Sequence, residues 1–199
     1  SGSFLPGVKT YLSKHVVVHP TALLVEGDIL EKAGAQDVFS RIRLSEQALI
    51  ITPFHQAANR IREIVRGADR HGSCGVGVGE AVEDALLNAG DGILAGDLSA
   101  PPVLRRKLHS IRERKRTQLG EFYREQGRGL SPAANEFLRQ EWEIFEREEV
   151  IEAWAGPDPP GTDPCRVWRA SRWELGHSPV DVGSSCGLAC YGNYIFLDT

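Results

Sequence analysis

Residues 43–85 read RLSEQALIITPFHQAANRIREIVRGADRHGSCGVGVGEAVEDA, and this stretch decides the expected fold. A helix is predicted over residues 52–66, because Thr52 is a good N-cap, Pro53 suits the first turn and apolar residues then recur at helical spacing. The following residues, 72–79, contain four glycines. Regular elements do not tolerate so many glycines, so we expect a loop that needs backbone freedom or close backbone approach.

The segment after the glycine-rich loop predicts a short helix over residues 80–88. Free N–H groups at the start of a helix favour an anion such as phosphate. Glycine-rich loops also serve as plain structural connections, so the residues alone leave both interpretations open.

Outside this stretch the pattern predicts an α/β fold that is mostly helical with short strands. Residues 8–18 favour an extended conformation that ends at His19 and Pro20, and a helix follows as far as Gly34. A second extended stretch is expected near residues 41–45. Residues 103–126 and a segment from Ser131 to about Trp154 predict two long helices, which we expect to pack as a hairpin.

Composition excludes several classes of protein. The 199 residues carry a net charge of −4 with a pI near 5.9, which gives no overall reason to bind nucleic acid or an anionic membrane. No apolar run reaches the length of roughly 18 residues that a membrane span needs, and the start lacks a signal peptide. We therefore expect a cytoplasmic location. The chain has no methionine, even at position 1, so we expect it to be a fragment.

The composition changes near residue 156, where the sequence becomes rich in proline and glycine and then in tryptophan and cysteine. We leave residues 156–199 unassigned. A zinc site there is a weak alternative, because the cysteine spacing is not a specific signature; its candidate ligands are Cys165, His177, Cys186 and Cys190.

Several strings together resemble the adenylosuccinate synthetase family. The opening SGSFLPGVKTYLSKHVVVHPTALL matches the family without gaps. Residues 43–85 follow the family's order of Ser-Glu, an apolar run, Tyr-His, Arg-Glu, Arg-Gly-Ala and Gly-Thr-Thr-Gly-Arg-Gly-Ile-Gly-Pro-Ala-Tyr-Glu-Asp. AGDL at residues 95–98 and, more loosely, KLHSIRERKRTQ extend the match. Residues 1–155 thus resemble the synthetase, most strongly over residues 1–125.

This resemblance implies part of a P-loop-type synthetase fold and a role in purine nucleotide biosynthesis. The family joins IMP to aspartate with GTP and Mg²⁺ and works as a homodimer. Its phosphate loop aligns with Gly72, Ser73, Cys74 and Gly75, and the arginine that reaches the partner's IMP aligns with Asn88. The family's catalytic aspartate and histidine precede residue 1, so no catalytic or metal-binding residue is assigned and the chain alone is expected to be inactive.

Three departures from the family pattern weaken the expected phosphate site. Cys74 replaces a threonine, and a thiol is a weak hydrogen-bond donor. Val76 and Asn88 replace arginines, which bind phosphate through charge-assisted bidentate bonds. The alternative function is therefore a non-catalytic nucleotide-binding or regulatory paralogue.

Other residues allow a functional and a structural interpretation. His55 is expected to be a packed, hydrogen-bonded side chain rather than a catalytic one. Cys74 could act as a nucleophile with His71 nearby, although no partner is fixed by the spacing. A basic stretch could hold nucleic acid but is more typical of a solvated helix face balanced by acids such as those of EWEIFEREEVIE; it comprises Arg105, Arg106, Lys107, Arg112, Arg114, Lys115 and Arg116.

Overall fold

A computed structural model describes residues 2–88, 90–126 and 130–155 of the chain. The described strands are β1 Thr10–Leu12, β2 Val17–Val18, β3 Ile42–Leu44 and β4 Leu49–Ile50. The helices are α1 Pro20–Lys32, α2 Val38–Arg41, α3 Pro53–Arg66, α4 Val78–Leu87, α5 Pro101–Gln126, α6 Pro132–Glu146 and α7 Glu149–Ala155.

The strands form two parallel pairs. β1 pairs with β3, with Tyr11 opposite Arg43, and β2 pairs with β4, with Val18 opposite Ile50. Parallel strands need a crossover connection, and α1 and α2 lie in the connection from β2 to β4. The predicted α/β class, mostly helical with short strands, is confirmed.

Two helices begin where strands end, and each start is capped by a side chain. The Nδ1 atom of His19, directly after β2, accepts a hydrogen bond from the backbone N of Ala22 at 3.1 Å and caps α1. Thr52 caps α3, because its Oγ1 atom accepts from the backbone N of His55 at 3.3 Å. Both helices start with a proline, and the prediction for residues 52–66 is confirmed.

Helix α3 lies at the centre of the core. Its buried apolar face packs against α5 and α6. The rings of Phe54 on α3 and Phe145 on α6 stack with 5.8 Å between centroids. Leu108 and Ile111 of α5, both fully buried, belong to the same cluster. The amphipathic pattern of α3 therefore fixes the position of the elements around it.

The predicted single helix from Ser131 to Trp154 is wrong. Helix α6 ends at Glu146, the following Arg147 is extended at φ −91° and ψ 112°, and α7 begins at Glu149. The break turns α7 onto α5, where Ile151 is fully buried. The predicted packing of α5 and α6 as a hairpin is also wrong, because α6 packs mainly on α3.

Smaller differences concern the other element boundaries. The extended residues 8–18 divide into β1 and β2, and α4 starts at Val78 rather than at Glu80. In the part of the chain that the structure describes, no helix combines the length and apolar character needed to cross a membrane. The unassigned residues 156–199, with their candidate zinc ligands, lie outside the described residues.

Candidate functional site

The glycine-rich loop lies between α3 and α4, beside the start of α3. Gly72, Gly75 and Gly77 all have positive φ, at 71°, 69° and 90°. A Cβ atom at Gly77 would lie 2.7 Å from the backbone carbon of His55. The loop therefore needs glycine at residue 77 both for its left-handed backbone and for its close approach to α3.

The first half of the loop is anchored to α3 by two side chains. The backbone N of Ser73 donates to Glu63 Oε2 at 3.2 Å, and Ser73 Oγ donates to Asn59 Oδ1 at 3.1 Å. Burial raises the pKa of Glu63. Hydrogen bonds from Arg66 and from the backbone of residues 71–73 lower it by more, so the net shift of the pKa is downward. The backbone N–H groups in the first half of the loop thus already have the carboxylate of Glu63 as their partner.

The second half of the loop lies against Arg60 of α3. A Cβ atom at Gly75 would lie 3.1 Å from Arg60 Cγ and 3.4 Å from Arg60 Nε. Arg60 Nη1 donates to Glu141 Oε1 of α6 at 3.1 Å, and 42% of the Arg60 side chain is exposed. The loop itself, residues 72–77, contains no lysine or arginine. Arg60 therefore places a positive charge beside a loop that has none of its own.

His19, directly after β2, lies near the same guanidinium and is hydrogen-bonded to Gln56. Burial lowers the pKa of His19, and the charge of Arg60 lowers it too. A hydrogen bond with Gln56 raises the pKa but does not compensate, so the net shift is downward. His19 is consequently neutral near pH 7. Ligands of open α/β sheets commonly bind beyond the carboxyl ends of strands, so the position of His19 suits a site.

His55 is a packed and hydrogen-bonded residue, as predicted. It is only 1% exposed, and its Nδ1 atom accepts from the backbone N of Thr52 at 3.1 Å. Its Nε2 atom therefore carries the proton and donates to Asp84 Oδ2 at 3.2 Å. Burial lowers the pKa of His55 more than Asp84 raises it. This contact connects the start of α3 to the middle of α4.

A buried ion cluster behind α4 consists of Arg62, Glu80, Asp84 and Lys115. The Nζ atom of Lys115 lies 2.6 Å from Glu80 Oε2 and 3.1 Å from Asp84 Oδ1, and this lysine is fully buried. Arg62 Nε donates to Glu80 Oε1 at 2.7 Å. Burial raises the pKa of Asp84, but bonds and charges of His55 and Lys115 bring it down to about 2. These contacts hold the first turns of α4 against α3 and α5.

The basic stretch of α5 is balanced by acids, as expected, but the solvated-face interpretation is wrong for Lys115. Arg105 and Arg112 pair with Glu152 and Glu148 of the predicted acidic segment. Lys115, by contrast, points into the core. It follows the buried Leu108 and Ile111 at helical spacing and precedes the buried Leu119 by four residues. This apolar stripe is the sequence signal that could have located it.

Asn88 lies at the other end of α4 from the loop. Its Nδ2 atom donates to the backbone O of Asp84 at 3.3 Å. Ten residues of helix separate it from the loop by about 15 Å. The structure therefore brings Gly72, Ser73, Cys74 and Gly75 together in one loop but does not bring Asn88 to them within one chain. Across the described ranges, no group of three or more side chains suits a metal ion.

A separate cavity of about 490 Å³ lies between α1, β3 and the segment Ala95–Ser99. Its lining is largely apolar and includes Leu23, Ile42 and Leu98. Among the described residues that line it, none belongs to the glycine-rich loop. The cavity is therefore distinct from the candidate site.

Known proteins resemble this chain over most of the described residues. The family model of adenylosuccinate synthetase matches residues 1–151. The adenylosuccinate synthetase of Bordetella avium is 34% identical over 149 residues, which are 70% of this chain and 34% of the relative. That of Ralstonia nicotianae is 45% identical over 86 residues, which are 43% of this chain and 19% of the relative.

A solved structure supports the fold. The fully ligated adenylosuccinate synthetase from Plasmodium falciparum superposes with a TM-score of 0.51 at 18% identity, covering 73% of this chain and 32% of that one. The chain spans about a third or less of the length of these relatives. Because the family model covers residues 1–151, this chain belongs to the adenylosuccinate synthetase family.

Proposed function

We propose that this chain is part of a GTP-dependent ligase of purine nucleotide biosynthesis, which joins IMP or a related nucleotide to aspartate. The observation that carries the proposal is the family match over residues 1–151, which includes the glycine-rich loop between α3 and α4. As in the family, the complete enzyme would work as a homodimer in the cytoplasm. Neither nucleic acid nor a membrane is expected as a partner.

The chain's own contribution is a phosphate-binding loop. We assign Gly72, Ser73, Cys74 and Gly75 to the phosphate of the nucleotide, because positive-φ glycines turn backbone N–H groups toward an anion. By the family resemblance, Asn88 would act on the nucleotide of the partner subunit; it lies about 15 Å along α4 from its own loop.

GTP and Mg²⁺ are assigned to other parts of the family's polypeptide. Within the described residues no cluster of acidic or histidine side chains fits a metal ion. The family's catalytic aspartate and histidine are not matched by any residue of this chain. We therefore expect the 199 residues alone to be inactive.

Turnover tests this proposal directly. The longest in-frame protein from the same gene is incubated with IMP, GTP, Mg²⁺ and aspartate, and adenylosuccinate is measured. Omission of aspartate or of GTP provides matched controls. Product that depends on both supports the ligase. Absence of product in the complete mixture contradicts it.

A non-catalytic nucleotide-binding or regulatory paralogue is the second candidate. Val76 and Asn88 favour it, because neither side chain can form the bidentate, charge-assisted phosphate bonds of arginine. This candidate predicts that IMP binds but that no adenylosuccinate forms under the same conditions. Product formation would exclude it.

A further inference from the structure

A phosphate at the glycine-rich loop would meet an unfavourable distribution of charge. Residues 72–77 supply no cation, and Val76 stands where the resemblance places an arginine. The carboxylate of Glu63 already accepts the backbone N–H of Ser73 at 3.2 Å. Arg66 lies 2.8 Å from Glu63 and so is already engaged by that carboxylate. A phosphate dianion needs a positive charge from outside the loop.

Arg60 lies where such a charge is needed. Its side chain runs along Gly75, so close that a Cβ atom at residue 75 would lie 3.1 Å from Arg60 Cγ and would require the arginine to shift. Gly75 is buried and has a φ of 69°, a left-handed backbone that favours glycine. The Arg60 side chain remains 42% exposed, so a ligand at the loop could reach its guanidinium from solvent.

The present partner of Arg60 is a replaceable one. Glu141 lies 3.1 Å away on α6 and is 21% exposed. Burial raises the pKa of Glu141, and the charge of Arg60 only partly offsets this. A partly exposed ion pair of this kind contributes little to stability. A phosphate dianion, which an arginine can bind through two parallel bonds, competes well with such a carboxylate.

We propose that Arg60 binds the phosphate of the nucleotide at the glycine-rich loop, and that Glu141 is its counter-ion when the site is empty. This inference rests on the proposed function of the loop. It places the guanidinium at the Gly75 end of the assigned loop, away from the Ser73 end, where the backbone N–H already donates to Glu63. The ligand class is a nucleoside monophosphate.

Calorimetric titration of IMP and of inorganic phosphate into the longest in-frame protein tests the assignment. Arg60→Gln is expected to weaken the binding of both ligands by roughly 10- to 100-fold, the effect of losing a hydrogen bond to a charged group. Arg60→Lys should recover part of the affinity, because it restores the charge without the fork. Thermal melting of each variant shows whether it folds.

Two further variants separate ligand binding from a purely structural pairing of α3 with α6. Glu141→Gln removes the counter-ion and should keep or tighten phosphate binding, whereas a structural tie would be damaged equally by both substitutions. Arg139→Gln, on the exposed face of α6 where Arg139 pairs with Glu136, is the matched control and should change nothing. Equal affinities for Arg60→Gln and Arg139→Gln would overturn the assignment.

The same titrations distinguish failure of this assignment from failure of the proposed function. Binding of IMP that survives Arg60→Gln overturns only the role of Arg60. Phosphate binding that depends on Arg60 without any affinity for IMP supports Arg60 and contradicts the inosine substrate. A wild-type protein that binds neither ligand overturns both.

Discussion

The buried ion cluster behind α4 and the rim of the glycine-rich loop use charge in opposite ways, although α3 contributes to both. In the cluster, Lys115 is fully buried between two carboxylates at 2.6 and 3.1 Å. At the rim, the Arg60 side chain is 42% exposed and its partner Glu141 is one that a ligand could replace. Closely matched buried charges fix the start of α4, and the loosely matched ones remain available for binding.

The largest expected effect is the loss of Lys115. Lys115→Met leaves Glu80 and Asp84 buried without their shared cation, and breaking a buried pair in this way costs about 3–5 kcal/mol. Urea unfolding measures the change in the free energy of unfolding. Arg116→Met, in the next position but exposed, should alter it by less than about 0.5 kcal/mol. Equal effects would remove the contrast between the two regions.

Gly77 connects the two regions, so its substitution should have the second-largest effect. Gly77→Ala places a Cβ atom 2.7 Å from the backbone of His55 at a φ of 90°, and the left-handed conformation alone costs about 1–3 kcal/mol. Gly34→Ala is a matched control with a φ of 99° and open space around it. Urea unfolding should therefore show a lower free energy of unfolding for Gly77→Ala than for Gly34→Ala, because only the former adds a clash. Identical stabilities would show that the loop moves away from α3.

Acid should loosen the buried cluster through Asp84. Its folded pKa of about 2 lies below the ordinary value of 3.8, so the bonds stabilise the fold above pH 4 and are lost as pH falls toward 2. This lowering of the pKa of Asp84 corresponds to about 2 kcal/mol in the free energy of unfolding.

Urea unfolding at several pH values between 5 and 2 tests this assignment. Asp84→Asn should start from a lower stability and lose less of it over this range than the wild type. Asp28→Asn, at an exposed position of α1, serves as the control and should follow the wild-type curve. An unchanged acid slope in Asp84→Asn would show that Asp84 does not carry the effect.

The smallest effect is expected at Gly79, which follows the loop and is the last glycine of residues 72–79. Gly79 lies inside the first turn of α4, its φ is not left-handed, and a Cβ atom there meets open space. Gly79→Ala should therefore stabilise the fold by about 0.5–1 kcal/mol. Thermal melting at one pH suffices, and a destabilised variant would mean that the loop extends further into the helix than described.

Local signals predicted the elements around the site better than the contacts between them. Thr52, Pro53 and the apolar spacing located α3, and the glycines located the loop. The break after Glu146 was missed, because apolar residues continue across it and tertiary packing of Ile151 decides the direction of α7. A helical pattern does not show where a neighbouring helix draws the chain away.

The charges of the site were the least predictable part. Lys115 stands within a run of basic residues, so only its place on the stripe of Leu108, Ile111 and Leu119 distinguishes it from solvated neighbours. The contacts of Glu63 with Ser73 and of Arg60 with Gly75 join residues ten or more positions apart, which the local pattern does not report. The family resemblance located the loop but not the cation beside it.

Calorimetric titration of IMP beside inosine, into the longest in-frame protein, tests most directly whether the loop binds the phosphate of a nucleotide. The loop chemistry predicts that IMP binds with measurable heat and that inosine, which lacks the phosphate, binds at least about tenfold more weakly, the loss expected for one charge-assisted contact. Equal affinity for the two ligands, or binding of neither, would contradict a phosphate site at residues 72–77.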